Sequence, residues 1–198
     1  MNFYMGLTPA NEPSNEIGVC ILDEKLNIIH LDRFMSTKEF SFFIDNLSNK
    51  SISTIMVSIP MAFNILDSKW KLNAQKTVLN DLNCELPRKK WNNLYSDKLC
   101  NILTEYKDEF KTIYRYNIKQ IRMMLNLQSP YISHSSADCK FLQNALKLKF
   151  NISPIINNLY PVTQLEAILG AYCAYLIANN KKEIKVDKIF KNIQIVKF

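Results

Sequence analysis

The sequence predicts an α/β fold with a mixed sheet and helices on both of its faces. Two buried-strand patterns carry this prediction, at residues 3–8 and 52–59, and each of these strands ends at a proline. Each also places a small hydroxyl at its carboxyl end, Thr8 in one strand and Ser58 in the other. In open α/β sheets, sites are built at the carboxyl ends of the parallel strands. The sequence therefore predicts where a site lies before it predicts any chemistry.

The first half of the chain supplies four strands and one helix. Ile17, Val19 and Ile21 alternate with other apolar residues, so the second strand is predicted to be buried on both faces and central. Ser36 and Glu39 have the spacing of a capping box, which predicts the start of a helix. A right-handed crossover through that helix makes the fourth strand parallel to the first. The predicted strands cover residues 3–8, 16–22, 27–34 and 52–59.

The second half predicts one more strand, at 111–116, and three helices. The first helix runs through residues 118–125. The second and third start at the capping-box pairs Ser135/Asp138 and Thr163/Glu166. A C-terminal strand at 193–198 is an optional addition, so the sheet has five strands, or six. Residues 62–109 are less regular and predict a helical insertion within a single domain spanning residues 1–198.

Composition excludes several classes of protein. The chain has 198 residues, 47% of them hydrophobic, which suits one domain with a real core. Three glycines are too few for a phosphate-binding loop, so no nucleotide cofactor is expected. Five scattered cysteines indicate neither a disulfide framework nor a zinc site. The absence of an export signal predicts a cytoplasmic protein, and the longest apolar helix is too short for a membrane partner.

The net charge of +7 is unevenly distributed. Residues 1–109 hold 12 basic and 14 acidic side chains, a net charge of −2, whereas residues 110–198 hold 13 basic and 4 acidic, a net charge of +9. A basic half can be a footprint for nucleic acid. The alternative is codon bias, since lysine outnumbers arginine 21 to 4. The candidate nucleic-acid contacts interleave cations with an aromatic ring: Arg88, Lys89, Lys90, Trp91, Arg115, Lys119 and Arg122. The plainer interpretation is a solvated basic turn with Trp91 in the core.

The order of elements resembles the RNase H-like fold, and more narrowly the RNase H-like predicted-nuclease family of unknown function. Residues 6–10 (Gly-Leu-Thr-Pro-Ala) correspond to that family's Gly-Ile-Asp-x-Ala strand, and residues 57–61 (Val-Ser-Ile-Pro-Met) to its Ile-Asp-Ala-Pro-Leu strand. Thr8 and Ser58 thus stand where the family has aspartate. By the same resemblance, Tyr114 stands in place of a glutamate, and Glu166 keeps an acid on the last helix.

These replacements matter because RNase H-like nucleases bind two divalent cations to activate water. Mg²⁺ is held mainly by carboxylates, and neutral Thr8 and Ser58 cannot supply that charge. The resemblance therefore implies a vestigial site at Thr8, Ser58, Tyr114 and Glu166, with no cofactor. Mg²⁺ belongs only to the alternative of a divergent nuclease, in which Glu166 is the one candidate metal ligand. Its further acids would come from Glu12, Glu16, Asp67 or Asp138.

Plain structural interpretations are open at each of these positions. Thr8 and Ser58 are explained as strand-end hydroxyls, and Glu166 as a helix-capping residue, although its place beside the apolar stripe would also let it point to the sheet. His30 and His134 give no Ser-His-Asp arrangement. The prediction is a non-catalytic protein that binds nucleic acid or a protein partner. A metal-dependent nuclease is the first alternative, and a structural protein without nucleic acid is the second.

Overall fold

The computed structural model describes residues 2–10, 16–47, 52–58, 102, 113–116 and 118–179. Nine elements lie in these ranges, and their order is β-β-β-α-β-β-α-α-α. They are β1 (Phe3–Pro9), β2 (Ile17–Leu22), β3 (Ile28–Phe34), α1 (Thr37–Leu47), β4 (Ile52–Ser58), β5 (Ile113–Tyr116), α2 (Ile118–Met124), α3 (Ser136–Leu148) and α4 (Val162–Ala178).

One mixed sheet has the strand order β3-β2-β1-β4-β5. Strands β1, β2 and β3 are antiparallel to their sequence neighbours, whereas β4 lies beside β1 and runs parallel to it. In that parallel pair Leu7 lies opposite Val57, which leaves Thr8 and Ser58 together at the carboxyl ends. The predictions of neighbouring parallel strands and of a central second strand are both confirmed.

Five strands, or six, are expected from the sequence, and four of them, β1 to β4, form the body of the sheet with six or seven residues each. Of the fifth predicted strand, at 111–116, the structure describes residues 113–116 as β5, which pairs in parallel with β4. The optional strand at 193–198 and the insertion at 62–109 lie outside the described residues.

Each face of the sheet has its own apolar core, because successive side chains of a strand point to opposite faces. Helix α1 covers one face through Phe40, Ile44 and Leu47, which pack on Leu7 and Val19. The other face is covered by α2, α3 and α4. The buried residues of the core on that face include Tyr4, Cys20, Met56, Tyr116, Leu142, Leu146, Ile168 and Cys173.

Helix α4 lies directly on the backbone of the sheet. A Cβ atom at Gly6 would meet the carbonyl oxygen of Ala167 at 2.0 Å, and one at Gly18 would meet that of Thr163 at 2.2 Å. These contacts allow no side chain between strand and helix, so both positions require glycine. The close approach fixes α4 against β1 and β2, next to the carboxyl end of β1.

Two of the three predicted capping boxes start helices as expected. The Ser36 hydroxyl accepts from the amide of Glu39, and the Ser135 hydroxyl accepts from the amide of Asp138. The third prediction is wrong, because the residue that caps α4 is Pro161, which provides no side-chain hydrogen bond. Thr163 therefore lies inside the helix, and its hydroxyl donates to a carboxylate oxygen of Glu16. No helix in the described part of the chain is long and apolar enough to cross a membrane.

Candidate functional site

Three hydroxyl groups meet at the carboxyl ends of β1, β4 and β5. Thr8 lies on the same face as Gly6 and therefore points toward α4. Its Oγ1 atom is 3.1 Å from the phenol oxygen of Tyr116, which donates in turn to the backbone carbonyl of Glu166 at 3.0 Å. Ser58 lies opposite Tyr116 in the β4–β5 register, with its hydroxyl close to the phenol. This cluster links three strand ends to the last helix.

Tyr116 is the central residue of this cluster. Its side chain is fully buried, and burial raises the pKa of its phenol well above the ordinary value of 10.0, despite the opposing hydrogen bonds from Thr8 and Ser58. The phenol is therefore neutral and serves as a hydrogen-bonding group. Tyr114, the residue that the family resemblance placed here, lies one pleat earlier, opposite Met56. The structure thus brings Tyr116, rather than Tyr114, to Thr8 and Ser58.

Glu166 bonds to a histidine and not to the start of its own helix. Its Oε1 atom lies 3.1 Å from Nε2 of His134, in the loop that precedes α3. The Glu166 side chain is 7% exposed and that of His134 is 38% exposed. The hydrogen bond to Glu166 raises the pKa of His134 above 6.5, against an opposing effect of burial. The capping interpretation of Glu166 is therefore wrong, and its carboxylate faces the α3 side of the site.

A second carboxylate, that of Asp138, lies in the first turn of α3, four residues after His134. Both of its oxygens already accept hydrogen bonds. Arg122 of α2 makes two hydrogen bonds to it, at 2.9 and 2.5 Å, and the Ser129 hydroxyl donates a third at 2.5 Å. The backbone amide of His134 donates a fourth at 2.9 Å. The Arg122 guanidinium, followed by the Ser129 and His134 hydrogen bonds, lowers the pKa of Asp138 far below its usual range in spite of burial.

The residues around the strand ends do not fit a two-metal centre. Thr8, Ser58 and Tyr116 are neutral and hydrogen-bonded, Glu166 is paired with His134, and Asp138 has no acceptor to spare. Within the described residues, no group of three His, Cys, Asp or Glu side chains is placed to hold a metal ion. Two dications need several carboxylates to neutralise them, so this donor set does not match the group that the fold implies.

The other acids of the divergent-nuclease alternative are placed as follows. Glu16 directly precedes β2, accepts from Thr163, which lies one helical turn before Glu166 on α4, and forms a 3.2 Å ion pair with Arg33. Its carboxylate is thus already paired on both oxygens. Glu12 and Asp67 lie outside the described residues.

The candidate nucleic-acid contacts are not brought together by the described part of the structure. Residues 88–91 lie outside it, and for Arg115 it describes the β5 backbone alone. Lys119 is exposed on α2. Arg122, in contrast, is 12% exposed and committed to Asp138. Its positive charge is therefore neutralised within the protein.

The sheet order and the helices on its two faces define an RNase H-like fold, and solved structures of RuvC share it. One matching structure is Thermus thermophilus RuvC, with a TM-score of 0.53 and 11% sequence identity over 90% of this chain and 96% of that one. Another is T. thermophilus RuvC in complex with a Holliday junction substrate, with a TM-score of 0.51 and 11% identity over 91% and 98% of the two chains. No protein-family model and no curated protein sequence matches the chain.

Sequence reasoning missed three features of this site: the role of Tyr116, the His134–Glu166 pair and the Arg122–Asp138 pair. The strand register was the missing information for Tyr116, because the residue opposite Ser58 depends on how β5 pairs with β4. The two ion pairs join residues 32 and 16 positions apart in the chain. The only sequence signal near these pairs was the spacing of Ser135 and Asp138, which indicated a helix cap. The cap is one of several contacts that Asp138 makes.

Proposed function

We propose that this protein is a non-catalytic nucleic-acid-binding domain built on the RNase H-like fold, and a divergent member of the predicted-nuclease family whose motifs it resembles. One observation carries the proposal. Where metal-binding carboxylates would be needed, at the carboxyl ends of β1 and β4, the Thr8 hydroxyl is hydrogen-bonded to the buried phenol of Tyr116. Neutral groups that satisfy one another stabilise the fold, but they do not attract divalent cations.

Charge and fold support nucleic acid as the ligand. Residues 110–198 carry a net charge of +9, and such a basic half favours association with a polyanion. One matching structure was obtained as a complex of RuvC with a Holliday junction, so this fold accommodates nucleic acid in that protein. A protein partner without nucleic acid is the competing outcome and is decided by the binding experiment below.

The catalytic half of the proposal is tested by cleavage assays. Labelled single-stranded DNA, duplex DNA, RNA, RNA–DNA hybrid and a four-way junction are incubated with the full-length protein and Mg²⁺ or Mn²⁺. We expect no cleavage above the rate of a buffer control. Metal-dependent cleavage by the wild type that disappears in Glu166→Gln would reject the proposal and support the divergent nuclease.

The binding half is tested by fluorescence anisotropy with the same nucleic acids at several salt concentrations. Because binding releases condensed counterions, we expect the logarithm of the association constant to fall linearly with the logarithm of the salt concentration. Charge reversal at Arg88, Lys89 and Lys90 then measures how much that cluster contributes to the affinity for nucleic acid. If no nucleic acid binds at low salt, the binding proposal is wrong and the protein-partner alternative stands.

A further inference from the structure

Two apolar side chains are exposed in the loop next to the candidate site. Tyr131 is 53% exposed and Ile132 is 84% exposed, both in the loop between α2 and α3. That loop ends at His134 and Ser135, and His134 bonds to Glu166 beside the strand ends. A ligand that approaches the carboxyl ends of β1 and β4 from this side therefore meets the two apolar side chains.

This loop is held rigidly although its tip is exposed. The Ser129 hydroxyl and the backbone amide of His134, one near each end of the loop, both donate to the carboxylate of Asp138. The Tyr131 amide donates to the Ser129 hydroxyl at 3.3 Å, and the amide of Ser135 donates to the Ile132 carbonyl at 3.0 Å. Since the Arg122 ion pair fixes Asp138, the loop conformation is set before any ligand arrives.

The exposed face of α3, the helix that follows this loop, is basic. Lys140 and Lys147 are exposed, and both ammonium groups contact oxygen atoms of Asn157, at 3.1 and 3.4 Å. The two lysines are seven positions apart, which places their Cα atoms on one helix face about 10 Å from each other. Their partners there are neutral oxygens. Among the described residues, the ion pairs involve Arg33, Arg122 and His134 instead, so both lysines keep their positive charge for a ligand.

The charge of the whole segment has the same sign. Residues 118–161 contain five basic side chains and one acidic side chain, a net charge of +4. The single acid is Asp138, which Arg122 neutralises. An exposed aromatic ring in a fixed loop, followed by a helix with two exposed lysines, suits a ligand that has both flat apolar groups and negative charges.

We infer that the loop 129–135 and the exposed face of α3 form a docking surface for single-stranded nucleic acid. An unpaired base stacks on the ring of Tyr131, with Ile132 against its edge, while Lys140 and Lys147 hold phosphates of the strand. Base pairing hides the flat faces of bases inside a duplex, so the aromatic contact favours unpaired strands. This inference rests on the proposed nucleic-acid binding and assigns it to residues other than 88–91.

The experiment measures binding of a fluorescein-labelled oligothymidine 20-mer and of a blunt duplex to the full-length protein by fluorescence anisotropy. We expect Tyr131→Ala to weaken single-strand binding roughly tenfold or more, because stacking on an aromatic side chain contributes about 1–3 kcal/mol per base. Duplex binding should stay close to the wild-type value, and Tyr131→Phe, which keeps the ring, should restore single-strand binding. The matched control is Phe42→Ala, which removes an aromatic side chain that is 71% exposed on α1, on the other face of the sheet.

The lysines are tested by salt dependence. Each phosphate contact in a single strand contributes about −0.7 to the slope of log association constant against log salt, so Lys140→Ala with Lys147→Ala should make the slope shallower by about 1.4. Lys38→Ala, at an exposed position on α1, should leave the slope unchanged.

Three outcomes overturn the inference and are distinguishable. Wild-type single-strand affinity in Tyr131→Ala rejects the stacking contact while the proposed function survives. Binding lost only on charge reversal at residues 88–90 assigns the surface to that cluster and likewise rejects this one. No binding by the wild-type protein rejects the proposed function, and the inference with it.

Discussion

The Nε2 atom of His134 lies 3.1 Å from Oε1 of Glu166, and this contact joins the loop before α3 to the helix that covers the sheet. The backbone carbonyl of the same Glu166 accepts from Tyr116, which is bonded to Thr8. An exposed loop is therefore two residues removed from the carboxyl end of β1. A substitution in the loop should therefore alter the surroundings of the residues at the strand ends, and a substitution at the strand ends should alter the surroundings of the loop.

The first prediction concerns the ionisation of His134. Its hydrogen bond to Glu166 raises its pKa above 6.5, so Glu166→Gln should lower that pKa toward 6.5 or below. The measurement is an NMR titration of the imidazole ring protons, which is readily assigned because the chain has only two histidines. His30→Gln serves as the control that assigns the signals. An unchanged His134 pKa in Glu166→Gln would show that the pair does not form in solution.

The same pair predicts a pH dependence of stability. The folded-state pKa of His134 is above its unfolded value, so the stabilisation is fully present below about pH 6.5 and is lost as pH rises through the folded-state pKa. The difference in unfolding free energy between wild type and Glu166→Gln should shrink across that range. The effect should be small, since His134 is partly exposed and solvent screens the pair. Urea unfolding at several pH values measures it.

The second prediction concerns Asp138. Asp138→Asn leaves the Arg122 guanidinium without its charged partner in a site where the arginine is 12% exposed, so it should destabilise the protein by about 3 kcal/mol. Because the pKa of Asp138 is lowered, its contribution is present above the unfolded value of about 3.9 and is lost as pH falls through the folded-state value. The cost should thus persist between pH 4 and pH 7 and decrease below pH 4.

The matched control for this prediction is Asp32→Asn. Asp32 is exposed on β3 and accepts from the backbone amide of Arg33, so its loss should change the unfolding free energy by at most about 0.5 kcal/mol. Equal effects of Asp138→Asn and Asp32→Asn in urea denaturation would contradict the structural role given to the Arg122 pair.

The third prediction concerns the buried phenol. Tyr116→Phe removes the hydroxyl that bonds Thr8 and donates to the Glu166 carbonyl, and leaves buried polar atoms without that partner. We expect a loss of about 1–3 kcal/mol in the free energy of unfolding. Tyr131→Phe, which removes the same atom from a half-exposed ring, should change it by less than about 0.5 kcal/mol. Thermal and urea unfolding measure both variants, and comparable losses would disprove the role of the hydroxyl cluster.

The fourth prediction tests whether the scaffold can still accept a metal. Thr8→Asp with Ser58→Asp places two carboxylates next to each other in a buried site, and their repulsion should destabilise the metal-free protein. Mg²⁺ that binds the folded state should restore stability, by about 1.4 kcal/mol at ten times its dissociation constant. If Glu166 becomes a third ligand, it must leave His134, so Mg²⁺ should also lower the pKa of that histidine.

The control for the designed site is Thr8→Asn with Ser58→Asn, which matches the size of the aspartates without their charge. Its unfolding temperature should not respond to Mg²⁺. A Mg²⁺ response of equal size in the two double variants would mean that the ion binds elsewhere, and the site would then not be a latent metal centre.

The parts of the fold that were predictable from sequence are those set by local patterns. The alternation of Ile17, Val19 and Ile21 identified the central strand, and the spacing of Ser36 and Glu39 located the first helix. The position of the site followed because Thr8 and Ser58 end two parallel strands. Each of these inferences depends on residues close in the chain or on a general rule of chain topology.

The contacts within the site were less predictable because they join distant residues. Thr163 and Glu166 have capping-box spacing, yet both side chains bond to partners outside the helix, at Glu16 and His134. Local spacing cannot reveal such competition, since the tertiary partner offers a charge-assisted hydrogen bond.

The contact of α4 with Gly6 and Gly18 has a mechanical consequence. Where two layers are separated by interlocking side chains, small rotamer changes let one layer slide over the other. Here the carbonyl oxygens of Ala167 and Thr163 lie against the strand backbone itself, so sliding would require main-chain atoms to pass through each other. The sheet and α4 must therefore move as a single rigid body. Any adjustment to a ligand is left to the surrounding loops and to α3.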